Sequence, residues 1–397
     1  MRVSPFSLRS AILAAALLAT PLTAQTVTTD PANHTISPGM LTLPLHIGGR
    51  VQAMPLPPPM PKGALLYWHH WPAIYFEGAF IGDRVALKFD DAGDEYRLLI
   101  DDKPPIPFFR PGKVEITVVG LGSSAHHARL EKVSESFLGH GAFGGFYIPR
   151  NERPLRVKPR RRQIEFIGPS GMVGFGDRST KIECTFDEMT RTTDAQQAYP
   201  ALVARHFSAD YQVNASSGRG LIRNVKEIRK EPGLIAIHSS IFIDQAVPYF
   251  DPKWQPQIIM IAPFADFASE LEAGEKWTTQ EQLFDDWARS YQAFVLDLHH
   301  RSPRAAFLLE WLGDKDISGS GPEVDLFKKK AAAARQAITE MGRRNGIRAI
   351  EFVTYDSIGA KLEQSGCAHH DNLKDHRITA DWIERIIDAH PGIWDGK

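Results

Sequence analysis

Near residue 156 the hydrophobic period of this sequence changes, and the change divides the chain into two kinds of structure. Between 64 and 155, short alternating runs such as IYFEGAFIG, RVALKFDD, YRLLIDD and KVEITVVGL are separated by Gly, Asp or Pro turns, with no helical period between them. Closely spaced strands of this kind predict a small β-sandwich. From 163 onward, strand-like apolar runs alternate with long helical patterns, which predicts an α/β domain over 156–397 with a parallel sheet covered on both faces. The strands are expected at 163–167, 212–216, 257–262, 305–309 and 347–353, and the helices at 198–208, 281–300, 324–344 and 376–389.

With 397 residues, 43% of them hydrophobic, there is material for two cores. A formal net charge of −1 leaves no electrostatic footprint for nucleic acid, and the basic cluster 156–162 reads as a solvated linker. At the N-terminus, Arg2 and Arg9, the apolar run 11–18 and a small-residue stretch ending in Leu22-Thr23-Ala24 follow the order of a signal peptide over 1–24. The apolar run is shorter than the roughly 20 residues a span needs, so the expectation is an exported, periplasmic or extracellular product with no membrane attachment after cleavage. The segment 25–63 ends in MPLPPPMPKG and reads as a tether or an irregular wrap. The 2 cysteines, Cys184 and Cys367, permit one intramolecular bridge in an oxidising compartment or two buried thiols.

In open α/β sheets the functional crevice lies beyond the carboxyl ends of the strands. The first strand runs IEFIG into Gly168-Pro169-Ser170-Gly171, which sets a serine on a tight turn where its oxygen is exposed and backbone N–H groups converge. Ala215-Ser216-Ser217-Gly218-Arg219-Gly220 follows the second strand, and its glycines allow close backbone approach. Before the last helix comes Ser365-Gly366-Cys367-Ala368-His369-His370-Asp371, where a histidine can reach the serine as general base. His-His pairs begin at His69, His126, His299 and His369, so a pair alone carries little meaning. There is no HExxH or similar helical spacing, and neither a metal nor an organic cofactor is expected.

Together RQIEFIGPSGMVGFG, AYPALVARHFSADYQVNASSGRGLIRN, PQIIMIAPFADF and GCAHHDNLKDH, with LGSSAHHARLEKVSES and GAFGGFYI upstream, resemble carbohydrate esterase family 2. These are GDSL-like SGNH hydrolases that remove acetyl groups from plant polysaccharides. The resemblance implies a three-layer SGNH-hydrolase fold behind a jelly-roll-like sandwich, an acetylated carbohydrate substrate, Ser170 as nucleophile and His370 as base. It also implies oxyanion donors at the N–H groups of Ser170 and Gly218, with Gly220 as an alternative to Gly218. Pro169, Ala265 and Ala368 replace the family's usual Asp, oxyanion-donating Asn and histidine-orienting acid. Some members orient the histidine through a backbone carbonyl, and Asp371 or Asp266 are candidate substitutes for the acid. The second functional reading is a hydrolase scaffold of impaired chemistry kept for carbohydrate binding.

Overall fold

A computed structural model of the chain describes residues 26–30, 39–56, 61, 63–311 and 321–395. The expected signal peptide lies outside the described residues. The alternating runs form two antiparallel sheets packed face to face. One has seven strands, in the order Thr26–Asp30, Gly112–Val119, Val85–Asp91, Gly141–Pro149, Leu65–His69 and Val51–Pro55, with Met40–Thr42 also on Gly141–Pro149. The other has six: Arg153–Leu155, Tyr75–Ile81, Ala125–Lys132, Glu95–Ile100 and Ile106–Phe109, with His46–Gly48 also on Tyr75–Ile81. Inward-facing Phe76, Phe80, Leu87, Phe89, Leu98 and Phe143 fill the layer between them.

Two expectations are corrected here. Residues 25–63 are not simply a tether, because their described part supplies strands to both sheets. Among the described residues, Pro44 falls between strands and Pro55 at a strand's end, so neither interrupts a ladder. The cluster 156–162 is not merely a solvated linker either. Arg160 donates to Glu77 Oε1 at 2.7 Å and to Asp210 Oδ1 at 2.9 Å, and its own backbone N–H donates to Asp210 Oδ2 at 2.9 Å.

The second half forms a five-stranded parallel sheet in the order Ala209–Ala215, Arg162–Gly168, Ile258–Ile261, Ala306–Glu310, Ile350–Val353. Successive residues face opposite sides. Ile167, Ile259, Ile261, Phe307 and Leu309 pack with helices Gln280–Arg301 and Pro322–Arg344. Ile164, Phe166, Ile258, Met260 and Leu308 pack with helices Tyr199–His206 and Leu373–Asp388. Both faces are buried, which is why the strands read as unbroken apolar runs. The last helix starts three residues before the expected 376, because Asn372 and Asp375 close a reciprocal capping box there. The short helix Phe186–Thr192 carries the same signal in Thr185 and Glu188. The strand order turns back on itself at Arg162–Gly168, so the switch-point crevice opens at the end of that strand, where Ser170 follows.

Buried charge joins the halves. Arg50 of the sandwich donates to Glu165 Oε1 at 2.9 Å and to Gln212 Oε1 at 3.0 Å, both on parallel strands. Glu77, fully buried, accepts from Arg129 at 2.9 Å and from Arg160, while Tyr75 donates to Asp210 at 2.7 Å. Burial pushes the Glu77 carboxyl up, but the hydrogen bonds and charges of Arg160 and Arg129 outweigh it and hold it at about 2. Burial likewise opposes, and His46, Tyr75 and Arg160 outweigh, the shift that leaves Asp210 at about 2.

Carboxyls held this low stabilise the folded chain fully above the unfolded carboxylate range near 4, and lose that contribution as pH falls toward 2. Glu77→Gln is therefore expected to destabilise the protein by about 1.5–3 kcal/mol at neutral pH, because Arg160 and Arg129 lose a shared charged acceptor and keep only Asp210 and Glu131. Denaturant titrations from pH 7 to pH 2 should show the gap closing with acid; equal stability at pH 7 would remove Glu77 from this role.

Candidate active site

Strand Arg162–Gly168 ends at Gly168, where a Cβ would come within 2.8 Å of Met172 Sδ and 3.0 Å of Ala262 Cβ. Pro169 is extended, and Ser170 opens the single helical turn Ser170–Val173, closed by left-handed Gly174 whose N–H returns to Ser170 O. The Met172 N–H donates to Pro169 O at 3.0 Å, so the proline supports the turn and leaves the Ser170 N–H in place.

His370 comes from the loop before the last helix, 200 residues along the chain, and its Nε2 lies 2.7 Å from Ser170 Oγ. Its Nδ1 lies 2.9 Å from Cys367 O. A carbonyl only accepts, so Nδ1 carries the ring proton and Nε2 turns its lone pair to the serine hydroxyl. Burial pushes the imidazole below its ordinary value, against the opposing pull of the Cys367 and Ala368 carbonyls. The ring of Phe175 lies 4.6 Å from that of His370, centroid to centroid.

The loop that aims this carbonyl is strained. Ala368 and His369 are consecutive non-glycine residues with φ of 52° and 61°, a conformation costing about 1–3 kcal/mol each. Its surroundings hold it there. Cys367 is disulfide-bonded to Cys184, its N–H donates to Gly176 O at 3.2 Å, and the Ala368 N–H donates to Ile182 O at 2.7 Å. Gly176 is left-handed, and a Cβ on it would run into the Cys367 side chain. The cysteines that sequence left as a bridge or two thiols are thus a bridge, and it fastens the histidine loop to the segment after the serine.

Both candidate acids stand elsewhere. Because Cys367 O occupies His370 Nδ1, neither Asp371 nor Asp266 orients the ring. Asp371 is pushed up to about 6 by burial and by Asp375. Asp266, fully buried, accepts from the N–H groups of Leu221, Ile222 and Arg223 at 2.7–2.8 Å, so it shapes the loop after the second strand.

In that loop Gly218 has φ of 75°, and Ser216 N–H donates to Gly168 O at 3.1 Å, tying the loop to the end of the serine's strand. Gly220 is not the alternative donor: its N–H goes to Asn224 Oδ1 at 3.3 Å, and a Cβ on it would strike Arg223 O and Asp266. Ala265 sits in the turn Phe264–Phe267 and offers no side-chain donor. One contributor was not legible in sequence. Glu135, buried and supplied by the sandwich, accepts from Ser217 N–H at 2.8 Å and from Ser217 Oγ at 2.6 Å, bracing the residue beside Gly218. An isolated glutamate in SES has no periodic or motif signal.

Beside the histidine loop lies an open cleft of about 800 Å³ lined by Phe175, Lys181, Cys184, Phe186, Met189 and Ala368. Phe186 is 52% exposed and its ring stands edge-on to that of exposed Phe137 at 5.7 Å.

Among known families, the carbohydrate esterase 2 N-terminal family matches residues 62–157. Over 353 residues the chain is 36% identical to an acetylxylan esterase / glucomannan deacetylase of Cellvibrio japonicus (strain Ueda107), covering 89% of this chain and 92% of that one. A solved carbohydrate esterase whose active site displays divergent catalytic and non-catalytic binding functions is 34% identical, with a TM-score of 0.77 over 89% of this chain and 100% of the other. A family two carbohydrate esterase from Clostridium thermocellum in complex with cellohexaose shares the fold at 21% identity and TM-score 0.67, over 88% of this chain and 100% of that one.

The buried ring predicts that His370 protonates below 6.5. Its Hε1 resonance, followed by NMR across pH 4–8 and assigned with His370→Gln, should show that midpoint; a value above 6.5 would mean the ring is not enclosed in this way.

Proposed function

The chain belongs to carbohydrate esterase family 2, and from that membership we propose that it is an exported serine esterase that removes acetyl groups from polysaccharide of the acetylxylan type. The observation that carries the reading is the relay from Cys367 O through the imidazole to Ser170 Oγ, at 2.9 and 2.7 Å. Ser170 Oγ attacks the acetyl carbonyl while His370 Nε2 takes the hydroxyl proton. The resulting imidazolium keeps its Nδ1–H on the Cys367 carbonyl. The oxyanion is met by the N–H groups of Ser170 and Gly218. Collapse of the intermediate expels the sugar oxygen, protonated by His370, and leaves an acetyl-enzyme. Water then attacks with His370 again as base, and acetate departs. Every proton in these steps moves between Ser170, His370, water and substrate.

The replaced family positions weigh unequally. Pro169 leaves the Ser170 amide intact, and the Cys367 carbonyl does the orienting that Ala368 cannot. Ala265 removes an oxyanion donor, a loss of about 10²–10³ in turnover where such a donor has been deleted elsewhere, so turnover is expected at the slow end for serine esterases. Export is supported by the Cys184–Cys367 bridge, which persists in oxidising compartments, and by the order of charged, apolar and small residues over 1–24.

Acetate release from p-nitrophenyl acetate and from acetylated xylan should fall at least about 10³-fold in Ser170→Ala. If the parent chain and that variant both run at the buffer background, the chain is a binding protein on a hydrolase scaffold. Phe186 and Phe137 present apolar faces suited to the C–H face of a pyranose. Phe186→Ala should therefore raise KM severalfold on acetylated xylan and leave p-nitrophenyl acetate unaffected; equal effects on both would deny it contact with the sugar chain.

A further inference from the structure

Where the sandwich meets the parallel-sheet domain, three metal-ligating side chains converge away from the Ser170–His370 pair. His70 follows strand Leu65–His69, and His140 precedes strand Gly141–Pro149. Asp244 comes from the long connection between strands Ala209–Ala215 and Ile258–Ile261. Asp244 Oδ1 lies 2.6 Å from His140 Nε2 and 3.3 Å from His70 Nδ1. One ligand atom from each residue falls within 4.8 Å of the other two. The 3.3 Å separation matches tetrahedral donors about 2.0–2.2 Å from an ion, and the 2.6 Å contact is a hydrogen bond that has to open by less than about 1 Å to admit one.

The second layer suits ligation. His70 Nε2 faces Ser136 O at 3.2 Å, so that nitrogen carries the ring proton and the Nδ1 lone pair points at Asp244. A ring nitrogen held by a backbone carbonyl is the usual partner of a ligating histidine. The Ile243 N–H is 3.4 Å from Nδ1, a long contact that a stronger partner would displace. His140 stacks on Phe242 at 4.2 Å with 15° between the planes, which fixes the direction of its Nε2, the nitrogen that donates to Asp244 and would give up its proton to a cation. Asp244 is half exposed, giving entry from solvent. The Lys132 ammonium donates to the His70 carbonyl oxygen at 3.0 Å, away from the imidazole Nδ1. Lys132 itself is bound to Asp94 at 3.5 Å and to Ser136 Oγ at 2.6 Å.

We propose that His70, His140 and Asp244 form a binding site for a divalent transition cation of the zinc type, with solvent completing its shell. Two imidazoles and one carboxylate suit such an ion and disfavour calcium or magnesium, which take oxygen ligands. The neighbouring cluster of His69, Asp91 and Asp94 is different: it is wholly buried, and its carboxyls are already engaged, Asp94 by the Lys132 ammonium and Asp91 by the Tyr96 hydroxyl. Because two ligands belong to one half of the molecule and the third to the other, a bound ion clamps the seam. Its occupancy stabilises the native chain by mass action.

The test uses the whole chain, stripped with EDTA, dialysed, and titrated with ZnCl₂ by calorimetry and by thermal melting. One saturable zinc per chain with a raised Tm is expected, together with no comparable response to CaCl₂ or MgCl₂. His140→Ala and Asp244→Asn should each weaken zinc at least about tenfold, while His206→Ala, at a distant surface histidine, should not. Absence of saturable binding, undiminished affinity in both site variants, or calcium binding as tight as zinc would overturn the assignment. Acetate release by the same variants reads the esterase chemistry separately.

Discussion

Two carboxylates on adjacent parallel strands, Glu165 and Asp210, reach out of the sheet to cations brought by other parts of the chain. A buried carboxylate without a partner costs several kcal/mol, so the sandwich is admitted only in the placement that delivers Arg50 to one, and that sets Glu77 and Arg129 around the Arg160 that pairs with the other. Hydrophobic packing alone would tolerate sliding of one half over the other. Charge pairing at these distances does not. Once that placement is set, the remaining contacts across the seam follow from it, including Glu135 against Ser217 and the two histidines against Asp244.

The seam therefore bears on chemistry as well as on stability. Gly218 lies on a turn whose preceding residue is gripped by a carboxylate from the sandwich, and whose following residues are gripped by Asp266 from the third strand's end. A loop braced from two sides keeps its N–H groups in place without reorganising, which is what stabilising a developing oxyanion requires. The histidine side is built on the same plan: two left-handed residues, held by a disulfide and by backbone hydrogen bonds to Gly176 and Ile182, put a carbonyl where an acid would otherwise orient the imidazole.

Much of this was legible before any coordinates. Strand runs buried on both faces, such as IIMI, are conspicuous, and the helices announce themselves by their apolar stripes, so each expected strand and helix of the second half is found within a few residues. Ser170 and His370 stood out because a glycine-flanked turn after a strand and a histidine before the last helix are local patterns. The partner of His370 Nδ1 was not legible, because every residue carries a carbonyl and only the backbone path of 366–370 decides which one faces the ring. Arg160 and residues 25–63 were read as solvent-facing and irregular for a related reason: a basic run and a proline-rich run look the same whether or not a buried acid or a sheet edge awaits them.

What the sequence by itself determined is periodicity and local chemistry: two architectures, their order along the chain, the serine turn, the histidine loop, and the one cysteine pairing the chain allows. What only the tertiary structure decided is which groups separated by many residues share a few ångströms. The contacts Glu135 with Ser217, Asp266 with the Leu221 N–H, Arg160 with Asp210 and His70 with Asp244 each join groups far apart in sequence. Periodicity reports how a segment meets its immediate surroundings, and it carries no information about the direction from which a distant charge will arrive.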